Sequence, residues 1–192
     1  MQTFDAVLCD LDGVLRRFDH DRQREIEQRY GLPVLATAFT PELMEPAILG
    51  RTTSAQWLDA IAVALGGHDD AVRATEEFAD VDFWVDEQVA DLLTRARTRM
   101  PLVLVTNAMD NLDDHLAQLQ LTDFADAVVS SAVVGVAKPD PRIYEIAAAA
   151  AGAAPDRCLF IDDRPANVTA AQALGMTGIH YRDLDDLAVL RE

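Results

Sequence analysis

The chain has 192 residues, of which 50% are hydrophobic and 26% are charged. This composition is typical of a packed globular protein and not of a disordered one. The formal net charge of −17 argues against nucleic acid and anionic membranes as partners, because both would repel the chain. No apolar run reaches transmembrane length and the N-terminus lacks a signal pattern, so we expect a cytoplasmic protein. Cys9 and Cys158 fall in predicted strands and are expected to be buried free thiols.

The first predicted element is a buried strand over residues 5–10, which are mostly apolar and partly β-branched. Asp10-Leu11-Asp12-Gly13 closes this strand and places two carboxylates, Asp10 and Asp12, on the same side of one sheet edge. In α/β proteins this carboxyl edge is where ligands bind. The two acids repel each other, so the arrangement requires a cation beside them or a proton on one of them.

Residues 16–85 are predicted to be helical throughout, because no strand-like alternation of apolar residues interrupts them. Helix signals such as caps and terminal glycines separate four segments, and these could form a small bundle. The four predicted helices cover residues 19–30, 41–49, 53–65 and 69–79.

From residue 86 onward, helical and strand patterns alternate, which predicts a parallel sheet covered by helices on both faces. The fold class is therefore α/β, a doubly wound parallel sheet with an inserted helical bundle. We expect a core domain over residues 1–15 and 86–192 and a helical cap over residues 16–85. The later strands are predicted at residues 102–105, 127–130, 158–161 and 177–180, and the later helices at 86–98, 110–119, 141–151, 165–174 and 183–190.

Polar groups follow two of these later strands. Thr106 and Asn107 stand where a helix begins, and a hydroxyl with free backbone N–H groups at such a point forms an anion site, although Thr-Asn is also a common cap. Asp162 and Asp163 follow another buried strand, where adjacent acids hold a cation or cap the next helix.

Lys138 is the one lysine among 16 basic residues, and it stands in a proline-punctuated turn before a helix. A compact ammonium can neutralise a carboxylate and a phosphate at one point, which a planar guanidinium does less well. Together, the carboxylates favour a hard cation such as Mg²⁺, and the hydroxyl, amide and ammonium groups favour a phosphate. A carboxylate nucleophile suits phosphoryl transfer through an aspartyl-phosphate.

These four motifs, in this order and at these spacings, resemble those of the haloacid dehalogenase superfamily, whose members are mostly Mg²⁺-dependent phosphohydrolases. The resemblance covers nearly the whole chain. The second half is most similar to the N-terminal phosphatase domain of soluble epoxide hydrolase and to the bacterial sugar-phosphate phosphatases near it. The family likeness implies a Rossmann-like core, and the helical insert is similar to that group's small cap.

The resemblance also implies a role for each motif residue. Asp10 would be the nucleophile and a metal ligand, and Asp12 the general acid and base, with its backbone carbonyl on the metal. Thr106 and Asn107 would hold the phosphoryl group, and Lys138 would stabilise its charge. The Mg²⁺ site would be completed by Asp163, with Asp162 beside it or reaching the ion through water.

Selectivity is expected to come from the cap, which should close over the leaving group. Arg51, in the turn after the second cap helix, is a candidate substrate contact, as are Phe18, His20 and Trp57. For His20 and Trp57, however, a solvated helix start and the core of the bundle are the favoured interpretations. The other histidines lack the spacing of metal ligands. We expect a loop position for His68, a helix surface for His115 and a strand end for His180.

The leading hypothesis is a Mg²⁺-dependent phosphatase acting on a small soluble phosphomonoester such as a sugar phosphate, with no nucleic acid or membrane partner, as a monomer or homodimer. A phosphosugar mutase would use the same residues but shield the aspartyl-phosphate from water. A 2-haloacid dehalogenase would need no metal and has no evident use for Asp12. A binding module without activity is the remaining alternative.

Overall fold

The computed structural model describes residues 4–191. Seven strands lie within this range, and five of them form one parallel sheet in the order β5-β4-β1-β6-β7, while β2 and β3 pair separately as an antiparallel ribbon. The strands are β1 (Ala6–Cys9), β2 (Arg16–Phe18), β3 (Phe83–Val85), β4 (Leu102–Thr106), β5 (Ala127–Ser130), β6 (Cys158–Asp162) and β7 (Thr177–His180).

Ten α-helices and two 3-10 helices complete the described residues. The helices are α1 (His20–Tyr30), α2 (Val34–Ala38), α3 (Pro41–Ile48), α4 (Ser54–Ala64), α5 (Asp69–Ala79), α6 (Glu87–Arg97), α7 (Leu112–Gln118), α8 (Ser131–Val134), α9 (Pro141–Ala150) and α10 (Pro165–Ala173), with 3-10 turns at Pro155–Arg157 and Leu184–Leu190.

The centre of the sheet is strand β1, which is buried along its whole length. Its side chains alternate between two hydrophobic clusters: Val7 and Cys9 face α6 and α7, and Ala6 and Leu8 face α9. Burial on both faces explains why the central strands read as continuous apolar runs. The doubly wound α/β architecture predicted from the alternating pattern is confirmed.

Helices α1–α5, which we call the inserted helices, enclose a third hydrophobic cluster of their own. Ile26, Val34, Ile61 and Ala74 are fully buried there. The inserted helices also contact the sheet domain, since α3 packs against α8 and the backbone of Gly50 lies so close to the Ala132 carbonyl that a Cβ would overlap it.

The prediction that residues 16–85 are helical throughout is wrong at both ends. Strands β2 and β3 pair there, with Arg16 opposite Val85 and Phe18 opposite Phe83. Each strand has three residues, which is too short for period-2 alternation to appear in the sequence. The pairing connects the two ends of the insert, so only the tertiary fold creates it.

Other differences are smaller. The short helices α2 and α8 were not predicted, and the segment predicted as a final helix over 183–190 is a 3-10 helix, Leu184–Leu190. Cys9 and Cys158 are buried free thiols, as predicted. Within residues 4–191, no helix has the length and apolar character needed to cross a bilayer.

Replacing Leu93 by alanine should lower the free energy of unfolding by about 2–5 kcal/mol, because its side chain on α6 is fully buried in the sheet-facing cluster. Chemical denaturation would measure this. Val133→Ala is the control, since Val133 is 85% exposed and the change should stay within about 0.5 kcal/mol. Equal effects of the two substitutions would contradict the assigned core.

Candidate active site

Three adjacent strands bring the predicted site residues together at the carboxyl edge of the sheet. Strand β1 pairs with β4 on one side and β6 on the other. Asp10 directly follows β1, whereas Thr106 ends β4 and Asp162 ends β6. All three are at least 95% buried, so their polar groups must find partners within this edge.

Lys138 links the two buried carboxylates. Its Nζ lies 2.8 Å from Asp10 Oδ1 and 2.7 Å from Asp162 Oδ2. Asn107 fixes the backbone of this lysine from both sides, since its Nδ2 donates to the Lys138 carbonyl and its Oδ1 accepts from the Lys138 N–H, at 2.9 and 2.8 Å. The Asn107 side chain therefore orients the lysine, a use that the sequence did not indicate.

The charges at this point do not balance. Burial raises the pKa of Asp10 well above its ordinary value, with Lys138 opposing and Asp162 reinforcing the shift. Burial alone would lower the pKa of Lys138, but the two carboxylates outweigh it and raise the value. Burial, followed by repulsion from Asp162, also raises the pKa of Asp163. One ammonium thus serves several carboxylates, and a further cation would relieve the repulsion.

Three carboxylates form a candidate binding site for such a cation. Oxygen atoms of Asp10, Asp162 and Asp163 all lie within 4.8 Å of one another, and this all-oxygen donor set suits a hard divalent ion such as Mg²⁺. Both Asp162 oxygens already accept hydrogen bonds, from Lys138, Asn167 and the Arg164 N–H. Asp163 remains partly exposed, which makes it and Asp10 the freer ligands.

Gly13 makes room for the Asp163 carboxylate. Its φ is +79°, and a Cβ at this position would overlap the Asp163 carboxyl group. The Gly13 N–H donates to the Arg16 carbonyl at 3.0 Å, so the chain folds back immediately after β1. This tight turn requires a residue that tolerates the left-handed region and carries no side chain.

The same turn brings Arg16 onto Asp12. Arg16 is 5% exposed and binds both Asp12 oxygens through Nε and Nη2, the latter at 3.0 Å. Its Nη1 lies 3.0 Å from Nδ1 of His115. Burial, and then the adjacent Arg16 charge, lowers the pKa of His115, so the neutral ring accepts from the guanidinium. Arg16 also lies against the Phe18 and Phe83 rings at 5.0 and 5.3 Å.

The Thr106 hydroxyl is the unsatisfied group of the site. Its Oγ1 is buried without a hydrogen-bond partner among the described residues, although such groups normally find one. The residue lines the same cavity as Asp10, Asp12, Asn107, Lys138 and Asp163. A ligand with acceptor oxygens, placed in this cavity, would satisfy it.

This cavity has a volume of about 600 Å³ and lies between the sheet edge and the inserted helices. Phe18, His20 and Trp57 line it, and Trp57 also packs against Phe78 in the bundle. Arg51 is exposed and is not among the lining residues. The structure therefore does not bring Arg51 to the cavity.

Three residues near the predicted set were not found by sequence reasoning. Arg16 carried no signal beyond its closeness to the acids, and His115 was expected on a helix surface, where the structure instead places it half-buried against Arg16. Asn167 follows the acid pair at the start of α10, and its Nδ2 donates to both Asp162 oxygens at 3.0 Å.

Comparison with known proteins agrees with this geometry. A family model described as haloacid dehalogenase-like hydrolase matches residues 4–175. Phosphatase MT3486 of Mycobacterium tuberculosis is 32% identical over 89% of this chain and 84% of its own length. Bifunctional epoxide hydrolase 2 of Rattus norvegicus is 27% identical over 91% of this chain, which spans 36% of that protein.

A similar solved structure is that of a HAD family enzyme from Bacteroides thetaiotaomicron in complex with magnesium and inorganic phosphate. It superposes with a TM-score of 0.75 at 25% identity, covering 96% of this chain and 99% of that one. The family match, the fold and the named phosphatase relative lead to one assignment: the chain belongs to the haloacid dehalogenase-like hydrolases.

Proposed function

We propose that this hydrolase is a Mg²⁺-dependent phosphatase that cleaves a phosphomonoester through an aspartyl-phosphate on Asp10. The observation that carries the proposal is the buried edge where Lys138 contacts Asp10 and Asp162, with Asp163 close by and the Thr106 hydroxyl unpaired. Magnesium would be held by Asp10 and Asp163, with Asp162 beside them, and would neutralise charge on the phosphoryl oxygens.

Asp10 is oriented for attack by the contacts of one of its oxygens. Oδ1 accepts from the Leu11 N–H at 2.7 Å and from Lys138 at 2.8 Å, which leaves Oδ2 for the phosphorus. Two negatively charged groups must approach each other in this step, so Lys138 and the Thr106 hydroxyl stabilise the phosphoryl oxygens. Asn107 acts mainly by holding Lys138 in position.

Asp12 supplies and removes the proton. In the first step Asp10 Oδ2 bonds to phosphorus, the P–O bond to the leaving group breaks, and Asp12 donates a proton to that oxygen. In the second step water attacks the phosphorus and Asp12 takes a proton from that water. The bond between phosphorus and Asp10 breaks, which restores the Asp10 carboxylate and releases inorganic phosphate. Arg16, which binds both Asp12 oxygens, holds this carboxyl group beside the cavity.

The proposal also covers the domain organisation of the chain, its partners and its oligomeric state. Residues 16–85 act as a cap that covers the leaving group, over a core formed by residues 1–15 and 86–192. The substrate is a small molecule, with neither nucleic acid nor membrane as a partner, and the working form is a monomer or homodimer. The inserted helices supply the cavity wall that faces the catalytic carboxylates.

Asp10→Asn should reduce phosphate release by at least about 10³-fold, because the amide is not a nucleophile. EDTA should reduce wild-type turnover by at least about 100-fold, with recovery on adding Mg²⁺. A phosphate-release assay over a panel of phosphomonoesters measures both. The substitution removes a buried charge, so thermal unfolding should confirm that the variant folds; full activity of Asp10→Asn would refute the mechanism.

Asp12→Asn should separate the two chemical steps. With p-nitrophenyl phosphate the leaving group needs no proton, so one equivalent of p-nitrophenol should appear in a burst. Steady-state turnover should then fall by about 10²–10⁴-fold, since no base activates water. Rapid-mixing absorbance measures the burst. Linear product formation at the wild-type rate would show that Asp12 is not the acid and base.

Gly13→Ala should weaken Mg²⁺ activation and lower turnover while the protein still folds, because the new Cβ displaces the Asp163 carboxylate. Gly152→Ala is a matched control, as Gly152 has φ +66° but no atom within 4 Å of a Cβ there. Both variants bear a backbone strain of about 1–2 kcal/mol. Titration with Mg²⁺ should show weakened metal activation in Gly13→Ala alone; equal behaviour of the two variants would contradict the role of Asp163.

A further inference from the structure

The cavity is much larger than a phosphoryl group requires. Its volume of about 600 Å³ lies within the range of sites that enclose a drug-sized molecule. The catalytic carboxylates and Lys138 occupy one end, and the inserted helices form the other. Most of the space therefore belongs to the leaving group.

The wall formed by the inserted helices is apolar. It comes from α2, α3, α4, α5 and the residues that follow α2 and α5, so several elements place side chains of one kind around one space. Trp57 and Phe78 contact each other at 6.3 Å between ring centroids and form part of this wall. The apolar lining includes Leu35, Phe39, Met44, Ile48, Trp57 and Phe78.

Polar groups are few on this wall. Over the described residues of the inserted helices, the cavity lining includes no lysine and no arginine, and its polar side chains are His20, Gln23 and Ser54. His20 Nδ1 and Gln23 Oε1 already pair with each other at 2.8 Å. A sugar would leave its hydroxyls without partners here, which is costly on burial, and a second phosphate would meet no cation from this wall.

The apolar surface continues outward. A second hollow of about 560 Å³ shares His20, Leu35 and Phe39 with the cavity and extends to Pro33, Ala36 and Glu27, whose Oε1 accepts from the Leu35 N–H. Phe39 lines both spaces and is 59% exposed, so its ring is accessible to a ligand that passes from one to the other. An elongated apolar group could extend from the cavity into this hollow.

We propose that the inserted helices form a subsite for an apolar leaving group, so that the substrate is the phosphate monoester of an alcohol with an extended hydrocarbon body. The proposal rests on the phosphatase function above. It replaces the sugar phosphate of the sequence analysis with a hydrophobic alcohol. Burial of the hydrocarbon provides the binding free energy, and Lys138 and the Thr106 hydroxyl hold the phosphoryl group.

Chain-length dependence tests this directly. With n-alkyl phosphates from butyl to decyl, kept below their micelle concentrations, kcat/KM should rise roughly three- to fourfold per methylene until the cavity is full. Glucose 6-phosphate should be a poorer substrate than octyl phosphate. A flat profile across the alkyl series, or preference for the sugar phosphate, would overturn the subsite.

Phe39→Asp places a charge on the apolar path at an exposed position, so the fold should tolerate it. The ratio of kcat/KM for decyl over butyl phosphate should fall by about tenfold or more. Val63→Asp is the matched control, because Val63 is 72% exposed on α4 and lines neither space. An unchanged ratio in Phe39→Asp, or an equal fall in both variants, would contradict the proposal.

Binding without turnover separates this inference from the proposed function. Calorimetry of Asp10→Asn with Mg²⁺ and n-alkyl phosphonates should give a Kd that falls with chain length. If that dependence holds while the wild type releases no phosphate from any ester, the phosphatase proposal fails and the apolar subsite stands. If the wild type hydrolyses p-nitrophenyl phosphate but the Kd of the alkyl phosphonates does not change with chain length, the subsite proposal fails and the phosphatase proposal stands.

Discussion

The ammonium of Lys138, held between the buried carboxylates of Asp10 and Asp162, is the interaction on which the site depends. Two acids at the centre of a sheet edge would repel each other and resist burial without a cation. The lysine offsets part of this cost, and its own burial is compensated by the same two partners. Removing Lys138 would leave both buried carboxylates without this cation.

Two neighbouring asparagines hold Lys138 and Asp162 in position. Asn107 binds the Lys138 backbone on both sides, and Asn167 donates to both Asp162 oxygens. Asn107 thus holds the residue whose ammonium contacts Asp10, and Asn167 holds the second carboxylate that this ammonium contacts. Such supporting bonds keep reacting groups within the small tolerances that catalysis requires. The residual negative charge that remains is what suits the edge to a divalent cation.

Arg16 connects this charged edge to the inserted helices. It lies in β2, at the start of the ribbon that leads to them, and it binds Asp12 while its guanidinium contacts His115 and two aromatic rings. The proposed acid and base is therefore held by a residue of the connection to the inserted helices. Any movement of that connection would change the surroundings of Asp12.

The sequence was most informative where burial is uniform or chemistry is unusual. Strands β1, β4 and β6 are apolar over nearly their whole length because both faces are covered, and the acids at the ends of β1 and β6 are costly enough to indicate a function. The ribbon of β2 and β3 was missed, since three-residue strands carry too little periodicity to be detected. The short helices α2 and α8 lack the length that a helical pattern needs.

Within the site, the chain by itself determined which residue types were available. The positions of Asp10, Thr106 and Asp162 at strand ends placed them at one edge, whereas Lys138 lies in the turn before α9. The contact of Arg16 with His115, which are 99 residues apart, was decided only by the tertiary structure. So was the apolar wall that the inserted helices contribute to the cavity. Both depend on how the inserted helices and α7 pack against the turn after β1, and packing between distant segments leaves no local periodic trace in a sequence.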